Sequence, residues 1–280
     1  MKFEEQALTF HCQDATLIGV LTLPEKALQR GVLILAGGPQ YRVGSHRQFL
    51  LLSRQLADAG IPVLRFDYRG MGDSEGEMRN FETVDEDLDM AIDTFFRQIP
   101  SLREVVIWGL CDAASAAAMH VGRDTRISGL ALANPWVRTP EGMAKTKVKY
   151  YYGSRFWERE FWQKLLSGQV NVFSSLCDFA GTMLGSLAKG ETASREILPF
   201  PERMAIGLES FSGPVLIILS GQDLTAHEFE EMTKMSPRWQ RVLQRPRLEW
   251  RRLQDATHTF SSQAWRHQVG QWTIDWLKSW

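Results

Sequence analysis

Cysteine is scarce in this chain, with three among 280 residues. Cys12, Cys111 and Cys177 are too few for a disulfide framework and lack the spacing of metal ligands. We therefore expect no metal site, and a reducing, cytoplasmic compartment in which a thiol stays available for chemistry.

A net charge of either sign and a long hydrophobic run are also lacking. The formal net charge of −1 gives no electrostatic basis for nucleic-acid binding or a polybasic membrane anchor. No uninterrupted apolar stretch reaches the roughly 20 residues of a membrane-spanning helix. Residues 1–6 contain acids and no apolar segment, so we expect no secretion signal. No feature of the sequence specifies an oligomeric state.

What the chain does contain is an alternation of strand-like and helix-like segments. An antiparallel hairpin is predicted over residues 7–12 and 17–23. Further strands and helices are predicted at 32–35, 48–59, 84–98 and 127–133. Residues 136–213 break this pattern, because they contain no strand-like run and many aromatic residues at helical spacing: Tyr150, Tyr151, Tyr152, Phe156, Trp157, Phe161, Trp162 and Phe173. We therefore expect an α/β core of residues 1–135 and 214–280 with a mostly parallel sheet, and a helical insertion at 136–213.

One turn stands out as a candidate for chemistry. Over residues 105–119, a β-branched strand breaks at a glycine, turns around a cysteine and continues as an alanine-rich helix. Such a turn needs small residues on both sides of its central side chain, which Gly109 and Ala113 supply. The helix N-terminus favours a thiolate on Cys111. The segment predicts a nucleophile elbow centred on Cys111, and the alternative is a buried structural cysteine.

Two possible partners of Cys111 follow later in the chain. Asp223 comes after the hydrophobic residues 214–219, and His258 comes after 248–253, before the last predicted helix. Alone, Asp223 is typical of a turn and His258 of a helix cap or the surface. Their order, nucleophile then acid then histidine, predicts a triad at the sheet edge where open α/β sheets form their sites.

The strand at residues 31–36 ends in a Gly-Gly-Pro turn, where we expect part of an oxyanion hole. Its donors would be the backbone amides of Gly38 and Asp112, because Pro39 has no N–H. The polar loop that follows contains the candidate substrate-binding residues Gln40, Tyr41, Arg42 and His46, of which His46 is more often a surface residue at a helix start.

Residues 61–76 are more specific, since a strand there runs into Asp-Tyr-Arg-Gly-x-Gly-x-Ser. This segment resembles the fourth-strand signature of α/β hydrolases of the serine-aminopeptidase and lysophospholipase type. The resemblance implies an α/β-hydrolase fold, a mostly parallel central sheet flanked by helices with a helical cap over the active site. Within that fold, the signature residues are expected to hold a loop beside the site.

Residues 37–49, 66–74 and 108–115 resemble the exosortase A system-associated hydrolase, type 1. That family occurs in bacteria that couple exosortase-type protein sorting to exopolysaccharide production. The resemblance implies a hydrolase and its genomic setting. The chain departs from the general α/β-hydrolase pattern by having cysteine in place of serine at the elbow, as dienelactone hydrolases and polyhydroxyalkanoate synthases do.

Together these residues predict a hydrolase, an esterase or thioesterase that needs no cofactor. A Cys111 thiolate would attack a small-molecule or lipid-like acyl substrate and form an acyl-cysteine. Two other functions stay open. An acyltransferase that passes the acyl group to an alcohol or amine would use the same residues. A non-catalytic binding protein on a hydrolase fold is less well supported, because all three triad positions are filled.

Overall fold

The computed structural model describes residues 2–38, 40–138 and 198–280. The chain divides into two compact units, one of Met1–Val137 with Pro199–Trp280 and one of Arg138–Leu198. All elements given below belong to the first unit. Most of the predicted helical insertion, its aromatic residues and Cys177 lie outside the described residues.

The first unit is built on one eight-stranded sheet. Its strands are β1 (Phe3–Cys12), β2 (Ala15–Pro24), β3 (Arg30–Leu35), β4 (Val63–Phe66), β5 (Glu104–Leu110), β6 (Ile127–Ala133), β7 (Val215–Gln222) and β8 (Leu248–Thr257). Their order in the sheet is β1-β2-β4-β3-β5-β6-β7-β8. β1 and β2 pair antiparallel with each other, β2 pairs antiparallel with β4, and all other pairs are parallel. The predicted hairpin and parallel sheet are confirmed.

Helices cover both faces of this sheet. They are α1 (Gln48–Asp58), α2 (Asp85–Gln98), α3 (Asp112–His120), α4 (Phe200–Ser210), α5 (Leu224–Met235), α6 (Pro237–Leu243) and α7 (Gln263–Leu277), with a short 3-10 helix at Ser45–Arg47 before α1. Successive side chains of a strand point to opposite faces. Leu33 of β3 therefore shares a core with Phe95 of α2, and Ile34 shares the other core with Phe49 of α1 and Ile274 of α7.

Helix α4 lies in the first unit, whereas the sequence predicts an insertion that runs to residue 213. Met204 and Leu208 of α4 are fully buried, and α4 packs against α3. Burial of this apolar face against α3 explains its place in the α/β unit. The sequence pattern contains no signal for this boundary, because a helix of the core and a helix of an insertion have the same periodicity.

Candidate active site

Cys111 occupies the tight turn between β5 and α3. Its backbone has φ 62° and ψ −125°, a left-handed φ that residues other than glycine adopt only when their surroundings enforce it. Gly109 makes the turn possible, since a Cβ there would lie 2.7 Å from the backbone carbonyl of Ala113. The thiol is free and partly exposed. The turn thus presents the sulfur at the carboxyl edge of the parallel strands.

Asp223 follows β7 and caps the N-terminus of α5. Its carboxylate accepts hydrogen bonds from the backbone N–H of Thr225 at 3.1 Å and of Ala226 at 3.3 Å, as helix-capping residues do. Its Oδ2 lies 2.8 Å from Nδ1 of His258. Because the residue is nearly buried, these bonds hold the carboxylate in one orientation.

His258 follows β8 and lies between Asp223 and Cys111. Burial alone would lower the pKa of its imidazole. Hydrogen bonds to Asp223 and Cys111 and the negative charges of both outweigh burial and raise the pKa of His258 to about 10. The structure therefore brings the three predicted triad residues together, with the imidazole between a carboxylate and the cysteine sulfur.

The two amides predicted for the oxyanion hole also come together, but a side chain bonds to them. The Gly38 N–H donates to Oδ2 of Asp112 at 2.8 Å. The backbone N–H groups of Asp112 itself and of Ala113 interact with the same carboxylate. The sequence predicts Asp112 only as a backbone donor, and this role of its side chain becomes visible only in the structure.

Asn134, just after β6, is a second residue that sequence analysis missed. It is fully buried, and its side-chain nitrogen donates to the His258 carbonyl and to Ser220 Oγ, both at 2.9 Å. Its side-chain oxygen accepts from the Ser220 N–H at 2.8 Å, and Ser220 Oγ donates to the Thr257 carbonyl at 3.0 Å. This network fixes the segment that contains His258. The signal in the sequence is an amide side chain directly after the buried strand predicted at 127–133.

The candidate substrate-binding residues differ in their surroundings. Gln40 and Tyr41 line an open cavity of about 560 Å³ together with residues 70–73, a volume in the range of small-molecule sites. Tyr41 is 46% exposed. His46 lies exposed on the 3-10 helix and does not line this cavity.

Arg42 forms ion pairs with acidic side chains. Its guanidinium forms ion pairs with the buried Asp67 and with Asp73, and its backbone N–H donates to Asp67 at 2.5 Å. Asp67 also accepts from the Asp73 N–H at 3.2 Å. These bonds tie the loop after β3 to the loop after β4. They agree with the structural role expected for the fourth-strand signature.

The sequence model of the serine aminopeptidase S33 family matches residues 30–171, just over half of the chain. The match runs from β3 across the Cys111 turn and beyond β6. The chain belongs to the serine aminopeptidase S33 family. This S33 member has a cysteine at its elbow, although the family takes its name from serine enzymes.

Solved structures with the same fold include several hydrolases. An esterase from Pyrococcus furiosus superposes with a TM-score of 0.67 at 17% identity, covering 99% of this chain and 93% of that one. A dienelactone hydrolase from Anabaena variabilis superposes with a TM-score of 0.63 at 15% identity, covering 99% of this chain and 98% of that one. A carboxyl esterase from Bacillus coagulans superposes with a TM-score of 0.63 at 18% identity, covering 98% of this chain and 97% of that one. At these identities the likeness establishes the α/β-hydrolase fold.

No curated protein matches the sequence of this S33 member. Among the helices in residues 2–38, 40–138 and 198–280, none is long and apolar enough to cross a membrane. Over the same ranges, no group of three His, Cys, Asp or Glu side chains is arranged to hold a metal ion.

Proposed function

We propose that the protein hydrolyses a carboxylic ester or thioester of a small or lipid-like acyl group, with Cys111, His258 and Asp223 as its triad. The observation that supports this most directly is the placement of the His258 imidazole between Asp223, 2.8 Å from its Nδ1, and the Cys111 sulfur. Membership of a hydrolase family and the esterases among structures of this fold favour an ester substrate. Thiolates attack esters and thioesters readily.

In the first half-reaction the Cys111 sulfur attacks the carbonyl carbon and forms a C–S bond. The carbonyl oxygen becomes an oxyanion that the amides of Gly38 and Asp112 would stabilise, typically by several kcal/mol. His258 gives its proton to the departing alkoxide or thiolate as the bond to it breaks. An acyl-Cys111 thioester and a neutral imidazole remain.

In the second half-reaction, neutral His258 takes a proton from water while the water oxygen attacks the acyl-Cys111 carbonyl. The C–S bond then breaks, the carboxylic acid leaves, and Cys111 and imidazolium His258 are restored. Asp223 holds the Nδ1 proton throughout and stabilises the positive ring. If an alcohol or amine takes the place of water, the protein is an acyltransferase.

We also propose that this reaction belongs to an exopolysaccharide-producing system, and the resemblance of residues 37–49, 66–74 and 108–115 to exosortase-associated hydrolases supports this. A reducing cytoplasm would keep Cys111 as a free thiol.

The test is to incubate purified protein with esters and acyl thioesters of increasing chain length, with and without an alcohol acceptor. We expect turnover and an acyl adduct whose mass maps to Cys111. His258→Gln should abolish both, while His267→Gln, a change at an exposed histidine of α7, should preserve them. Transfer to the alcohol in preference to water would establish the acyltransferase, and absence of any Cys111 adduct across the panel would refute the proposal.

A further inference from the structure

The Asp112 carboxylate bonds to the groups that a reacting carbonyl oxygen would need. It accepts the N–H of Gly38 at 2.8 Å and that of Ala113 at 2.9 Å, and it also interacts with the backbone N–H of Asp112. Gly38 and Asp112 are the two donors predicted for the oxyanion hole. A carboxyl oxygen of Asp112 thus already accepts a hydrogen bond from the Gly38 amide, which the oxyanion of the proposed reaction would need.

The surroundings accommodate this carboxylate closely. A Cβ on Gly37 would lie 2.1 Å from Oδ1 of Asp112, so the glycine leaves room for the acid. Burial raises the pKa of Asp112, and the bonds from the backbone amides and the charge of His258 act against that rise. The charge of His258 therefore links Asp112 electrostatically to the triad. Asp112 also acts on Tyr68, since burial and the charges of Asp112 and Asp87 raise the pKa of Tyr68.

A carboxylate and an oxyanion exclude each other at this position. Oxyanion-hole donors act at about 2.7–3.1 Å from the charged oxygen, which is the distance at which Gly38 now holds Asp112. An amide N–H that donates to the Asp112 carboxyl at this distance is not free to donate to a second oxygen. A substrate carbonyl can use the hole only after the side chain has left it.

We propose that the Asp112 side chain is an internal occupant of the oxyanion hole that the acyl carbonyl must displace before Cys111 is acylated. This inference rests on the proposed function. It makes Asp112 a residue that slows acylation by every substrate, because the free energy needed to move its side chain out of the hole is the same for each and adds to the barrier.

An aldehyde of medium chain length tests the occupancy directly. It adds reversibly to the Cys111 sulfur, and the resulting thiohemiacetal oxygen needs the hole. We expect Asp112→Ala to bind the aldehyde about tenfold more tightly than wild type, the factor that corresponds to one charged hydrogen bond. Asp112→Asn should lie between them, since its amide oxygen can still accept from Gly38. Glu202→Ala, which removes an acid from the first turn of α4, is the matched control.

A small alkyl thiosulfonate serves as the second probe, because it forms a disulfide with Cys111 without an oxyanion. Its rate should be the same within about twofold in all four proteins. The inference is overturned if both Asp112 variants bind the aldehyde no more tightly than wild type does. It is also overturned if none of the four proteins forms an aldehyde adduct although all of them react normally with the thiosulfonate. Should Asp112→Ala fail to fold, Asp112→Asn gives the same comparison.

Failure of the proposed function has a different signature. Cys111 would then form no acyl adduct with any ester or thioester in either wild type or Asp112→Ala, whatever the aldehyde affinities are. Two esters give the final comparison, since Asp112→Ala should accelerate acylation by a short activated ester and by a long-chain ester to a similar degree. No acceleration with either ester contradicts the occupancy of the hole by Asp112.

Discussion

The side chain of Asn134 donates a 2.9 Å hydrogen bond to the backbone carbonyl of His258. Asn134 is fully buried and has a left-handed φ of 42°. This bond joins the end of β6 to the segment after β8. Ser220 of β7, the strand between them, also bonds to Asn134: its N–H donates to the Asn134 side-chain oxygen, and its Oγ accepts from the Asn134 side-chain nitrogen. The histidine of the proposed triad is thus anchored by Asn134 at the end of β6, together with Ser220 of β7.

Asn134→Gly should lower kcat by about tenfold or more with little change in KM, because a misplaced base slows chemistry more than binding. It should also cost about 1–3 kcal/mol of unfolding free energy, since the Ser220 N–H and the His258 carbonyl lose their partner in the interior. Asn134→Ala should cost roughly 1 kcal/mol more, because alanine is strained at this φ. Steady-state kinetics and urea unfolding measure both effects.

The control for Asn134 is Asn80→Ala. Asn80 is exposed and bonds the Glu82 N–H within a surface turn, so its loss should leave kcat unchanged. Normal kcat per folded molecule in Asn134→Gly would show that the anchor has no role in placing His258.

Cys111→Ala should abolish turnover, by on the order of a thousandfold or more, and leave the protein folded because the thiol is partly exposed. Cys111→Ser should also lose most of the rate, since a hydroxyl is a much weaker acid and depends fully on His258 as base. Ser115, one helical turn later, is fully buried and donates to the Trp136 carbonyl at 2.5 Å. Ser115→Ala should therefore keep its turnover per folded molecule, and the reverse pattern would make Ser115 the nucleophile.

The pH at which His258 loses its proton is a third prediction. A raised pKa means that the charged ring persists to higher pH, so the imidazolium should remain through neutral pH and deprotonate near pH 10. NMR of the labelled imidazole measures this directly. Asp223→Asn removes a negative partner and should shift the midpoint downward, whereas Asp255→Asn, at an exposed acid three residues from His258, should leave it in place. A midpoint below neutral pH in wild type contradicts the proposed ion pair.

Thiol reactivity should separate the two cysteines that the structure describes. Cys12 is buried, and burial together with the charge of Asp87 raises the pKa of its thiol. Cys111 is partly exposed and lies next to His258, whose pKa the hydrogen bond to Asp223 raises. We expect iodoacetamide near neutral pH to alkylate Cys111 at least about tenfold faster than Cys12. Peptide mass spectrometry measures both alkylation rates, and the rates in denatured protein serve as the reference. Equal rates for the two cysteines in the folded protein would argue against a nucleophilic Cys111.

Gly109→Ala should destabilise the protein by about 1–3 kcal/mol, because its Cβ would lie 2.7 Å from the backbone of Ala113 and would push the elbow open. Gly122→Ala is the control, since a Cβ there meets only Ser210 Oγ at 3.1 Å. Thermal and urea unfolding of both variants make the comparison, and similar losses in the two would contradict the close approach at the elbow.

The elements that sequence predicts well are those whose signals are local. The alternation of apolar residues and the turn residues around Gly109 and Cys111 define β5, the elbow and α3, since strand and helix periods are readable over a few residues. Strand ends are harder to predict. β7 and β8 extend beyond the predicted 214–219 and 248–253 because Gln222 pairs with Thr257 across the sheet, and polar residues in such a pairing carry no hydrophobic pattern.

The sequence by itself determined the chemistry available to this protein: one cysteine at a strand–turn–helix junction, followed by an acid and a histidine that each come after a strand. Tertiary structure alone decided which polar groups meet those residues. Because β3 lies next to β5, the Gly38 amide reaches the Asp112 carboxylate, and because β6, β7 and β8 are adjacent, Asn134 reaches His258. Gly38 and Asp112 are 74 residues apart in the sequence, and Asn134 and His258 are 124 residues apart. The order of strands in a sheet is set by the packing of the whole core, which no local sequence pattern encodes.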